Sequence, residues 1–92
     1  MVKHIRTKEE LNRFWSNPTN RKYTFYFFRE DNNYPKYSNT KYLIGKQTYG
    51  MRMDGGLWDI IDNVNNKEVA KKIVIKLANR NRFGVIFETR EW

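Results

Sequence analysis

The sequence predicts a single α+β domain, and three observations predict it. Two stretches place apolar residues at helical spacing behind capping residues, others alternate or run aromatic as strands do, and 92 residues leave room for one core. The expected order is helix, strand, strand (or hairpin), helix, strand over residues 1–92, with an antiparallel sheet and both helices on one of its faces.

The first helix is announced by Thr7-Lys8-Glu9-Glu10, a capping box in which the threonine hydroxyl and the glutamate satisfy each other's free backbone donors. Leu11, Phe14 and Trp15 then share a face, and Asn17-Pro18 ends the helix because a residue before proline avoids helical angles. Arg21 to Arg29 reads as a strand with Tyr23, Phe25 and Phe27 on one face and Thr24, Tyr26 and Phe28 on the other. The stretch from Glu30 to Thr40 is a loop rich in turn formers and long enough to be functional.

Tyr42 to Met53 reads as a second strand, or two strands broken near Gly45 or Gly50, closed by a turn at Asp54-Gly55-Gly56. Leu57, Trp58, Ile60, Ile61 and Val64 fit a short helical turn. The longest helix runs from Lys67 to Arg80, with Asn65 as N-cap and Val69, Ala70, Ile73, Val74 and Leu77 facing the core. Phe83 to Arg90 alternates as a final strand whose place in the sheet the sequence leaves open.

Eighteen Lys and Arg against ten Asp and Glu give a net charge of +8, the wrong sign for a nucleic-acid mimic and the right one for a phosphate-bearing partner. Without cysteine there are no disulfides, thiolate nucleophiles or thiolate metal sites, and a reduced, cytoplasmic compartment is expected. No apolar run approaches the roughly 20 residues of a membrane helix. His4 is the sole imidazole and Ser16 and Ser38 the only serines, so a Ser/His triad lacks material. His4 is expected to be solvated or partly packed, and Asp59 and Asp62 to share a helical face as solvating acids rather than as a metal site. Asp54-Gly55-Gly56 falls short of a phosphate loop. No catalytic residue, cofactor or metal is expected.

Basic charge interleaved with rings is the feature that stands out. It falls in three clusters: Arg21, Lys22 and Tyr23; Lys36, Tyr37, Lys41 and Tyr42; and Lys67, Lys71, Lys72, Lys76, Arg80 and Arg82. Cations neutralise phosphates and exposed rings stack on unpaired bases, a combination suited to RNA or single strands. Tyr26, Tyr37 and Tyr42, which carry a polar tip, are the stacking candidates, and Phe25, Phe27 and Phe28 are core. The expectation is a non-enzymatic, largely sequence-nonspecific RNA-binding protein, with a homodimer also compatible with the sequence.

The stretch from Asn66 to Ala78 resembles the second helix of double-stranded RNA-binding domains, whose opening lysines straddle phosphates; the resemblance implies that role for Lys67, Lys71 and Lys72. Ile73, Val74 and Ile75 depart from that family's small residues, and a strand follows the helix. In size and in its Lys-, Asn- and Tyr-rich composition the chain resembles small early proteins of T-even-like phages, including TifA-type inhibitors of RNase toxins. That likeness implies a host RNase or toxin as a second partner, held on RNA.

Two other readings stay open. A small metal-independent RNase of RelE-like kind resembles the chain in size and charge, with Lys46, Tyr49, Arg52, Arg82, Glu88 and Arg90 as suitable chemical types. A protein-only interaction module would use Trp58 or Trp92 as an exposed anchor.

Overall fold

In the computed structural model, which describes residues 3–49 and 58–92, the chain forms an α+β domain around one five-stranded mixed sheet. The elements are β1 (Lys3–Ile5), α1 (Lys8–Ser16), a 3₁₀ turn (Pro18–Asn20), β2 (Thr24–Glu30), β3 (Tyr42–Thr48), β4 (Asp59–Val64), α2 (Lys67–Arg80) and β5 (Gly84–Phe87). Across the sheet the order is β1-β5-β2-β3-β4.

Both helices form where the sequence caps them. Thr7 Oγ1 accepts the Glu10 N–H at 3.1 Å, Phe14 and Trp15 are buried, and α1 stops ahead of Asn17-Pro18. The N-cap of α2 is Asn66, one residue later than expected, with its Oδ1 accepting from Glu68 N and Val69 N. Asn65 is drawn elsewhere, accepting the Lys41 N–H at 2.9 Å.

The sheet differs from the expected antiparallel one. β2, β3 and β4 are antiparallel neighbours, but β5 lies between β1 and β2 and runs parallel to both. The three residues of β1 are too few to show a period, and without β1 the sequence offers no reason to place β5 in the middle. Both helices then become parallel crossovers travelling in opposite directions, α1 from β1 to β2 and α2 from β4 back to β5. Parallel crossovers are nearly always right-handed, so opposite directions of travel lay the helices on opposite faces. The expectation of both on one face is corrected by this geometry.

Two cores result, and they explain the aromatic run. Under α2 lie Tyr26, Phe28, Tyr42, Ile44 and Ile86 against Ala70, Val74 and Ala78; under α1 lie Ile5, Phe25 and Val85 against Phe14 and Trp15. The α2 stripe centres on Ala70, Val74 and Ala78, with Ile73 and Leu77 flanking it and Val69 turned outward.

Residues 59–64 form an edge strand and not the expected helical turn. Pairing with β3 supersedes the helix-like spacing of Ile60, Ile61 and Val64. A register shift between Ile44 and Gly45 puts Asp62 opposite Ile44 and Asp59 opposite Lys46, so the two acids share a sheet face, not a helical one. Leu57, the 54–56 turn and the distal part of the second predicted strand, residues 50–53, lie outside the described residues.

Candidate nucleic-acid interface

At one end of the domain the last turn of α2 meets the starts of β2 and β5. Asn81 organises the junction: its backbone carbonyl accepts the Gly84 N–H at 2.9 Å, its Oδ1 accepts the Phe83 N–H at 2.9 Å, and its Nδ2 donates to the Tyr26 hydroxyl at 3.0 Å. The Phe83 carbonyl accepts the Thr24 N–H at 2.8 Å, which fastens the turn to β2. Phe83 is thereby held against Tyr23, with centroids 5.6 Å apart, and Tyr23 against Phe14 at 5.2 Å.

Cations collect on this row of rings. Lys22 Nζ sits 4.8 Å and the Arg82 guanidinium 5.5 Å from the Phe83 centroid, so one ring holds two positive groups. Lys3 Nζ lies 5.3 Å from Phe14, and the Arg21 guanidinium lies 4.3 Å over Tyr49. Each such contact contributes about 0.5–1 kcal/mol at an exposed site and leaves the positive charge unneutralised. Beside the row opens a cleft of about 480 Å³ lined by Lys3, Asn20, Tyr23, Asn79, Asn81 and Arg82 among others, with no carboxylate in its lining. A shallower hollow next to it shares Lys3 and Asn20 and adds Arg13 and Glu10.

From this end a basic stripe runs up the outer side of α2. Lys72, Lys76 and Arg80 are exposed and fall at i, i+4 and i+8, which keeps them on one side of the helix. Arg80 also sits in the last turn, where the helix dipole favours a cation. Val69 and Ile75 are exposed on the same helix.

The remaining sequence candidates separate. Lys67 and Lys71 are half-buried at the start of α2, and Lys71 is already engaged, with Glu68 at 3.5 Å and the Trp92 ring at 5.9 Å. Lys41 lies 3.9 Å from Glu30 and 5.5 Å over Tyr42. Lys36 and Tyr37 sit in the exposed 31–41 loop, Lys36 Nζ 5.2 Å from the Tyr37 centroid. Tyr42 is corrected as a stacking residue, because it is buried in the core under α2, and Tyr26 is buried there as well. Trp58 and Trp92 are not exposed anchors either: Trp58 packs on Phe27 at 5.1 Å and Trp92 on Phe28 at 5.4 Å.

Several of the residues weighed for an RNase have other roles in the fold. Tyr49 packs with the core under α1, Lys46 pairs opposite Asp59, and Arg52 lies outside the described residues. Glu88 instead receives a hydrogen bond from His4 Nδ1 and one from Arg6 Nε at 2.9 Å. Partial burial pushes the Glu88 carboxyl upward, but the His4 hydrogen bond and the Arg6 charge and hydrogen bond together outweigh it. The net result holds the carboxyl below its ordinary 4.5.

Sequence reasoning missed Lys3, Asn20, Asn79 and Asn81. The signal for the last two was the alternation Asn79-Arg80-Asn81-Arg82, whose amides line the same cleft as Arg82. Lys3 and Asn20 carry no such mark, because β1 and the 3₁₀ turn bring them in from a distance. Comparison with protein-family models, curated proteins and solved structures finds no match to the chain.

Proposed function

We propose that this chain is a non-enzymatic RNA-binding protein of low sequence specificity. Lys22, Arg82, Lys3 and Arg21 at the end of the sheet, continued by Arg80, Lys76 and Lys72 along α2, form its phosphate-binding surface. The observation that carries the proposal is the sharing of the Phe83 ring by Lys22 and Arg82 beside a cleft lined by cations and amides and by no carboxylate. On a protein with a net charge of +8, cations held on rings at this end, as Lys22 and Arg82 are, keep their charge available for a polyanion. Cations on a surface without groove-reading geometry bind backbone rather than sequence. With α1 and α2 on opposite faces of the sheet, the described elements offer no helix pair of helix-turn-helix type.

Fluorescence anisotropy of labelled single-stranded RNA, duplex RNA and duplex DNA over a range of salt concentrations tests this. Binding is expected to weaken with salt by a log–log slope of about −0.7 to −0.9 per phosphate contacted. A folded Lys22→Glu/Arg82→Glu variant is expected to bind at least about tenfold more weakly with a shallower slope. Unchanged affinity and slope in that variant would remove the surface from consideration.

A further inference from the structure

Resting on the RNA-binding reading above, we infer that the 31–41 loop is a base-stacking site that selects unpaired nucleotides, with Tyr34 and Tyr37 as its platforms. The described Phe, Tyr and Trp rings are buried or half-buried almost throughout. Tyr34 and Tyr37 are the exceptions, 42% and 76% exposed.

Their exposure does not come from an unstructured loop. The Asp31 N–H donates to the Lys41 carbonyl at 2.7 Å and closes the loop at its base. Inside it, the Asn33 N–H donates to Asp31 Oδ1 at 2.9 Å, the Tyr34 N–H to the Asp31 carbonyl at 3.1 Å, and the Tyr37 N–H to the Asn33 carbonyl. The Ser38 hydroxyl and the Asn33 N–H hold the Asp31 carboxyl below its ordinary value, so the anchor stays ionised. Two large rings are thus kept in water by a fixed backbone, which removes much of the ordering entropy a stacking contact would otherwise lose.

The setting suits a nucleotide. Lys36 Nζ is 5.2 Å from the Tyr37 centroid, close enough to meet the phosphate of a base laid on that ring. The Lys41 N–H donates to Asn65 Oδ1 just ahead of α2, which ties the base of the loop to the start of that helix. The fourteen residues of α2 span about 21 Å, so a single strand can reach from the sheet-end cleft to the loop. A duplex keeps its base faces stacked inside and offers the rings nothing to lie on.

The test compares a 12-nucleotide single-stranded RNA, the same strand with abasic sites, and a 12-base-pair RNA duplex. The proteins are the native chain, Tyr34→Ala/Tyr37→Ala and Tyr34→Trp/Tyr37→Trp. The alanine variant is expected to lose at least about fivefold in affinity for the single strand, to lose nothing on the abasic strand or the duplex, and to keep its salt slope. The tryptophan variant is expected to retain native affinity. Equal losses on all three probes, or none on any, would overturn the loop's role while leaving the cationic surface standing. Failure of the native protein to bind any of the three at low salt would overturn both.

Discussion

At Glu88 one carboxylate ties together segments more than eighty residues apart, accepting from His4 and Arg6 while its own N–H donates to the Ile5 carbonyl at 2.9 Å. Because its folded value lies below the unfolded one, the folded state binds fewer protons there. Its contribution is fully present above the ordinary 4.5 and is lost as pH falls through the depressed value. Glu88→Gln is therefore expected to lower stability by about 1 kcal/mol at pH 7 and to flatten the fall of Tm below roughly pH 4.5, as thermal melts from pH 3 to 7 would show. An acid limb as steep as the native one would exclude Glu88 as its source. None of this pairing was legible beforehand. His4 reads as a solvated or partly packed side chain in a basic stretch, and only the parallel register of His4 opposite Ile86 brings it beside Glu88.

Elements were legible where a period or a cap is long enough to read. Both helices, the alternation through Phe25–Phe28 and the start of the second strand at Tyr42 are written in local spacing. β1 is not, because three residues carry no period, and β4 is disguised by Ile60, Ile61 and Val64, which mimic a helical face until β3 claims them. A close junction between elements is at Gly84, where β5 passes under the last turn of α2. A Cβ there would lie 2.9 Å from both the carbonyl carbon and the Cα of Ala78, which are backbone atoms that cannot swing aside. Gly84→Ala is expected to destabilise the fold by about 2 kcal/mol and lower Tm by roughly 10 °C, and a change within a degree or two would show that α2 shifts freely over β5. The same junction sets Phe83, so a loss of RNA affinity is expected to accompany the loss of stability.

Across the whole molecule, charge acts in two opposed ways. A net +8 on a domain with a 13.0 Å radius of gyration repels itself, and added salt relieves that repulsion while competing with RNA for the cations. Raising NaCl from 20 to 200 mM is expected to raise Tm by a few degrees while RNA affinity falls by a factor of 10 or more, measured by scanning calorimetry and anisotropy on the same samples. A Tm that falls with salt would mean that the surface cations are matched by acids after all. The candidate surface was half legible at this scale: its residue types stand in the sequence, but their assembly does not. Lys22 and Arg82 lie sixty residues apart and meet on Phe83 only because β2 and β5 are neighbours in the sheet.

That adjacency also governs how the protein is made. β1 touches the sheet only through β5, and β2 has β5 as one of its two neighbours, so a growing chain holds two strands waiting for a third. At about 5–20 residues per second the ribosome needs several seconds to deliver Phe87 after Phe25 has emerged. Until β5 arrives the run from Phe25 to Phe28 lacks its parallel partner, and until α2 arrives a few residues earlier Tyr26 and Phe28 lack the helix that covers them. Because β1 and β2 both border β5, the sheet can be completed only after this last strand has emerged.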